Sequence, residues 1–379
     1  MNYLSNLLDG VKVEWKPLAY DESGVAKLSR GRVMSKEYLA ENAGEYPVYS
    51  SQTANNGEIG KITTFDIDGE AITWTTDGAN AGTVFHRTGK FSITNVCGLI
   101  KIIDESELNY KFLFYWLSIE AKKYVYSGMG NPKLMSHQIE KISIPIPPLE
   151  IQKEIVRILD TFKELTAELT AELTAELTAR KKQYNYYLDQ LLSFGKEEVE
   201  QKMLGEIGEI RRGTAITEKE TNQGYYPVVA NGPSHNYYHD QSNRSGETIV
   251  IARSGAYAGL VSYWDIPIFL TDAFSIHPDN NFLSTKFLYY VLKKDQTQIH
   301  NMANGAGVPH VRAKDFESYT VPIPTLEEQE RIVAILDKFD TLTTSISEGL
   351  PKEIELREKQ YEYYRDMLLT FPKYNIIKS

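Results

Sequence analysis

Two stretches of this chain, 177 residues apart, are nearly the same sequence. Ile144–Phe162 reads IPIPPLEIQKEIVRILDTF and Val321–Phe339 reads VPIPTLEEQERIVAILDKF, with 12 of 19 positions identical. Arg180–Phe194 (RKKQYNYYLDQLLSF) and Arg357–Phe371 (REKQYEYYRDMLLTF) match at 10 of 15 positions with the same offset. A repeat at fixed offset constrains architecture before local propensity is consulted, because each copy must fold into the same unit. The intervening segments are less alike but keep a common skeleton. Gly69-Glu70 aligns with Gly246-Glu247, Gly78, Ala79 and Gly82 with Gly255, Ala256 and Gly259, and Thr94 with Thr271. Gly128, Gly130 and Pro132 align with Gly305, Gly307 and Pro309, while Tyr46-Pro47-Val48 meets Tyr226-Pro227-Val228 at an offset of 180. The chain is therefore a variable head followed by a nearly repeated segment, written twice.

The heads read as β-rich. GEAITWTT and GETIVIAR alternate β-branched or aromatic residues with small or polar ones and then break. Loops such as SSQTANNGEIG and VANGPSHNYY are dense in Gly, Asn and Ser. A short amphipathic helix is expected at Asn109–Tyr124 and again at Ser284–Lys294. The Pro-punctuated exits IPIPP and VPIPT fit a strand edge or terminus.

The repeated segments read as long helices. Between Leu149 and Ser193 there is neither Gly nor Pro. Ile155, Leu159, Phe162, Leu165, Leu169, Leu173 and Leu177 form one apolar stripe, matched in the second copy by Ile332, Leu336, Phe339, Leu342, Ile346, Leu350 and Ile354. Neither helix can bury its stripe alone, so the two are expected to pack antiparallel as an intramolecular coiled coil with a pseudo-two-fold axis. Gly349 and Pro351 predict a break near Glu348–Lys352, since Pro in a helix interior costs about 3 kcal/mol. The expected fold class is α+β. Its parts are a first head over 1–147 with a short N-terminal helix, a central spacer helix over 148–198, a second head over 199–324 and a C-terminal spacer helix over 325–379.

Leu165–Glu176 is LTAE three times over. Four residues advance a helix by about 6 Å and leave a net turn of about 40°. A base-pair step of B-DNA advances about 3.4 Å and turns about 34–36°. Such a block suits a spacer that tunes distance and phase between two DNA-reading heads.

The formal net charge of −10 looks adverse to nucleic-acid binding. Divided along the repeat, the heads are near neutral, at −2 over residues 1–145 and −1 over 201–320, and the spacer segments together carry −7. Near-neutral heads with Arg-, Asn- and Ser-bearing loops suit base reading, in which Arg pairs with guanine and Asn or Gln with adenine. The loop candidates in the first head are Arg30, Arg32, Ser51, Gln52, Asn55, Asn56, Asn80, Asn131 and Lys133. In the second they are Arg211, Arg212, Asn231, His235, Asn236, Arg253, Ser254, Tyr257, Asn304 and His310. The loops GMGNP and GAGVP stand at identical positions, and no GK[ST] follows to make either a phosphate-binding P-loop.

Catalytic signatures are absent from the sequence: no HExxH, GxSxG or Walker motif, no metal-spaced His/Cys cluster, and no Asn-Pro-Pro-aromatic or Asp-Pro-Pro-aromatic tetrapeptide. His86 and His137 lack obvious acidic partners and read as loop or core residues. The lone Cys97 reads as a small buried hydrophobe and excludes an intrachain disulfide. No apolar run is long enough for a membrane span, and a cytoplasmic location is expected.

Together these features resemble the specificity subunit of type I restriction-modification systems. The resemblance spans the whole chain and is strongest in Ile144–Phe194 and Val321–Phe371. It implies that each head is a target-recognition domain reading one half of a split sequence in double-stranded DNA, with an unread gap set by the spacers. It further implies a subunit without catalysis or cofactor of its own. Two modification subunits would carry S-adenosylmethionine, and restriction subunits would join them. The segment Asn2–Asp9 resembles the tail of a spacer, in keeping with the family's circular pseudo-symmetry. Two readings stand beside it: a coiled-coil scaffold whose β-rich heads bind a protein or carbohydrate, and a DNA methyltransferase acting alone.

Overall fold

The computed structural model describes residues 11, 13–128, 130–195, 198–235, 237–303, 307–344 and 349–371. The segment Asn2–Asp9 and Ile346 of the spacer stripe lie outside them. The chain divides into two compact units, one formed by Met1–Thr170 with Leu356–Ser379 and the other by Ala171–Glu355. Each unit thus holds a head together with part of both spacers.

In the first unit a four-stranded antiparallel sheet runs in the order Ala26–Arg30, Cys97–Ile102, Ala71–Thr75, Val84–Arg87. A three-stranded sheet joins Glu58–Ile62, Ala43–Tyr49 and Ser92–Ile93, the last pair parallel. Glu14–Pro17 pairs with Ser143–Ile146, which carries the Pro-rich exit and among the described residues has only this one neighbour, so Pro145 interrupts no ladder between them on its other side. The second unit repeats every sheet: Gly208–Arg212, Ala273–Pro278, Thr248–Ala252 and Val261–Trp264; then Tyr238–His239, Tyr226–Val229 and Phe269–Leu270; then Glu200–Met203 with Thr320–Ile323.

The two-residue period of a strand explains how one sheet serves two cores. Ile72 and Trp74 enter the large core with Ile100, Phe112 and Leu113, while Ala71 enters a smaller one with Phe91, Ile93, Cys97 and Leu99. In the second unit Ile249 and Ile251 pack with Phe274 and Phe287, and Val250 packs with Val229, Ile268 and Leu270. Cys97 is buried as expected, and burial pushes its thiol up to about 12.

Helices Tyr110–Glu120 and Thr285–Lys294 occupy the expected positions, capped by Asn109 and Ser284, whose side chains accept from the Phe112 and Phe287 amides. Each docks on a spacer through one duplicated set of contacts. Buried Gln152 accepts from the Asn109 amide (2.9 Å) and donates to the carbonyls of Glu107 and Pro147 (both 2.8 Å). Buried Gln329 accepts from the Ser284 amide (2.8 Å) and donates to the carbonyls of Phe282 (2.8 Å) and Pro324 (2.9 Å). About two turns further along each spacer, Asp160 receives Lys111 and the Tyr115 hydroxyl, both at 2.6 Å. Asp337 likewise receives Lys286 and the Tyr290 hydroxyl. Burial, then the carboxylate, raise the pKa of both tyrosines.

The first spacer is one helix, Leu149–Leu191. Among the described residues the second comprises two, Leu326–Thr344 and Leu350–Leu368, with Pro351 in the first turn of the latter, where its missing amide costs nothing. Within the first unit the spacers run antiparallel. Ile158 and Phe162 share a groove with Tyr364, Met367 and Leu368, and Leu165 and Leu169 share the next with Arg357, Gln360 and Tyr361. Phe162 stacks on Tyr364 at 5.4 Å. Within the second unit Tyr187 stacks on Phe339 at 5.3 Å, and Tyr184 and Leu188 join Ile332 and Leu336 in the core.

Burial along the expected stripe is uneven. Leu165 is 55% exposed, whereas Leu173 is buried and Leu169 and Leu177 are half-buried. A four-residue repeat drifts about 40° per step, so its leucines spiral away from a straight seam. Two steps before Leu173, Leu165 has turned about 80° off it.

Candidate nucleic-acid interface

In each head the loops marked by the repeated glycines and prolines close on one another. The Gly78 amide donates to the Pro132 carbonyl (3.0 Å) and the Gly255 amide to Pro309 (3.1 Å). The Leu134 amide donates to Thr76 (2.9 Å), and Val311 to Arg253 (2.8 Å). Asp77 bridges to Lys133, and Ser254 to His310, as matching isolated β-bridges. The Arg-Gly dipeptides that end the first sheet strand are equivalent too. Arg30 lies across from Gly98 and Arg212 across from Phe274 in the same register. The glycines that follow permit a close crossing. A Cβ at Gly31 would lie 1.8 Å from the Ile93 carbonyl oxygen, and one at Gly213 would lie 2.7 Å from that of Leu270.

The first head gathers most of its candidates. Asn80 donates to Thr53 Oγ1 (3.0 Å), joining the 77–82 loop to the 50–57 loop. The latter holds exposed Asn55 and Asn56 in the left-handed region, at φ of 50° and 53°. This loop rests on buried Arg87, which donates to the Asn56 carbonyl (2.5 Å) and lies 3.6 Å over the Tyr49 ring. Burial lowers the Arg87 pKa. Gln52 donates inward to the Glu58 carbonyl (2.6 Å), and Ser51 beside it is half-buried. Lys133 faces Asp77 at 3.8 Å, and Asn131 is exposed on the same loop. Arg30 is exposed against Met135, with 3.5 Å from its guanidinium to Sδ. Arg32 is exposed, paired with Asp66 (3.1 Å) and bonded to the Tyr38 hydroxyl (3.0 Å). His86 has the acidic partner that sequence proximity hides: Glu70, at 2.5 Å.

The second head centres on Asn231. Its carbonyl accepts from the Arg253 (2.6 Å) and Ser254 (3.2 Å) amides, and its amide donates to Ser254 Oγ (3.0 Å) and Asp272 (2.7 Å). Asp272 also pairs with Arg253 at 2.6 Å, from a backbone φ of 39°. Arg253, Arg212 and His310, three of the expected residues, line one cleft of about 700 Å³. Arg312 lines it as well and was not expected; its signal was the register of the repeat, which sets it opposite Met135. Tyr257 is half exposed on the adjoining loop. His235 instead bonds Tyr238 (2.8 Å), and Arg211 pairs with Glu209 (2.5 Å). Asn236 and Asn304 lie outside the described residues. Among the described residues there is no group of His, Cys, Asp and Glu able to hold a metal, and no helix long and apolar enough to cross a membrane.

Comparison with known proteins agrees with the internal duplication. The family described as type I restriction modification DNA specificity domain matches twice, over residues 13–179 and 196–356. The specificity subunit of the type I restriction enzyme EcoR124I/EcoR124II of Escherichia coli is 36% identical over 420 aligned positions, covering 98% of each chain. A protein of Mycoplasma pneumoniae named as a type I specificity subunit is 35% identical over 362, covering 92% of this chain and 96% of its own. Among solved structures, a type I S subunit from M. genitalium superposes with a TM-score of 0.55 at 20% identity, covering 99% of this chain and 100% of that one. A chain from a type I restriction-modification assembly gives 0.66 at 15%, covering 94% and 97%. These two likenesses concern the fold. With the domain matched twice along most of its length, the chain belongs to the type I restriction-modification DNA specificity family.

Proposed function

We propose that this chain is the DNA-specificity subunit of a type I restriction-modification complex and that each head reads one half of a bipartite duplex target. The observation that carries the reading is the duplication itself. Two heads of one topology, docked on their spacers by the same Gln and Tyr–Asp–Lys contacts, each gather Arg, Asn and Ser side chains on converging loops. Two readers on one chain need a two-part target. The reacting chemistry belongs to partners: modification subunits that bring S-adenosylmethionine and restriction subunits that join them. Near-neutral heads leave much of the phosphate affinity to those partners, since non-specific binding is mainly electrostatic. Binding of a duplex library by the full chain with modification subunits is expected to select two fixed half-sites around a degenerate gap. Selection of no sequence would refute the reading.

The LTAE block supports a ruler role for the first spacer. Removing Leu169–Glu172 shortens a helix by about 6 Å and unwinds it by about 40°. The expected outcome is a preferred gap shorter by about one base pair, read from the same library. An unchanged gap would end the ruler argument.

A further inference from the structure

Among the described residues, the cleft in the second head carries more cations than the equivalent positions of the first. Its walls carry Arg212, Arg253, His310 and Arg312, with Asp272 the one carboxylate, and that carboxylate is taken by Arg253. The structurally equivalent positions in the first head are Arg30, Thr76, Lys133 and Met135. There the thioether of Met135 lies against the Arg30 guanidinium. In the second head the same place holds two guanidinium groups, Arg212 and Arg312, both exposed. Both line the one cleft and stand open to an anion from solvent. Arg253 is different in kind. Asn231 fixes its backbone and Asp272 fixes its guanidinium, and Asp272 adopts a left-handed backbone to do so. Such strain persists where the surroundings over-determine it, which occurs at binding sites.

We propose that this cleft seats a backbone phosphate of the half-site read by the second head, gripped by Arg212 and Arg312, with pinned Arg253 as the base-reading arm beside it. The proposal rests on the DNA-specificity reading and makes the two heads unequal: the second anchors and reads, the first reads without this anchor. Phosphate contacts position a protein on DNA and carry no sequence information, whereas base contacts discriminate.

The test uses the full chain with its modification subunits and fluorescence anisotropy on the target duplex and on an unrelated duplex, across a salt series. Arg312→Met, which imports the residue of the first head, and Arg212→Ala are expected to weaken binding to both duplexes alike, roughly tenfold each. Each should also reduce the salt slope by about 0.9, the value for one lost phosphate contact. Arg253→Ala is expected to relax preference at one base pair of the second half-site. Both grip residues are exposed, so unchanged melting temperatures accompany these effects. Unchanged affinity and slope in both grip variants, with sequence preference intact in the parent chain, would overturn the phosphate seat and leave the specificity reading standing. Loss confined to the target duplex at constant slope would overturn it in favour of a base contact. A parent chain without sequence preference would instead sink the underlying reading.

Discussion

Replacing Gln329 with leucine is expected to destabilise the second unit by about 4 kcal/mol. Its side-chain amide closes three backbone groups at once: the Ser284 amide and the carbonyls of Phe282 and Pro324. Gln329 is fully buried, so no water replaces the lost amide. Each buried polar group left unpaired costs about 1–3 kcal/mol. Leucine has nearly the same volume, which isolates the hydrogen bonds from packing. For a unit of this size such a loss lowers the melting temperature by roughly 8–16 °C, read by calorimetry on the full chain. Gln152→Leu is expected to do the same to the first unit. A shift under about 1 kcal/mol in both variants would show that the Gln latch contributes little.

Gly98→Ala is expected to destabilise the first unit by about 3 kcal/mol, at the upper end for overpacking. Gly98 lies across the ladder from Trp74, whose ring covers it; an added Cβ would lie 2.3 Å from three ring carbons. Trp74 cannot yield easily. It is fully buried and its indole N–H donates to the Leu134 carbonyl at 2.9 Å, so moving the ring also loosens the 130–135 loop. The second head solves the same packing problem in reverse. Ile251 stands where Trp74 does and Phe274 where Gly98 does. The double variant Trp74→Ile, Gly98→Phe is therefore expected to be more stable than Gly98→Phe alone. Equal melting temperatures for the two would refute this complementary exchange.

That exchange shows why the heads, so unlike in sequence, fold alike, and why only part of this was legible beforehand. Helix positions, the Pro-bearing edge strands and the break ahead of Pro351 follow from local rules: period, capping, and the missing amide of proline. The repeat marked the Gly-rich loops as backbone that must turn or approach closely, since glycines and prolines are kept there at a common offset; which loops meet was decided by the fold. The Gln152 and Gln329 latches stood in plain view within nearly repeated blocks. Nothing local says that a glutamine on an amphipathic helix turns inward, because two of its three backbone partners are more than forty residues away. Nor does anything local pair Arg32 with Asp66, thirty-four residues away.

The sequence alone determined that this chain is one unit written twice, that the heads are β-rich and the spacers helical, and that the acidity lies on the spacers. Those properties reside in periodicity, composition and offset, which are sums over many residues and survive any single error. Tertiary structure decided which side chains meet. It set Arg312 in one cleft with Arg212 and Arg253, paired Arg32 with Asp66, and left Leu165 more than half exposed. Such contacts join residues far apart in the chain, and a rotation of a few tens of degrees about a helix or strand axis makes or breaks each of them.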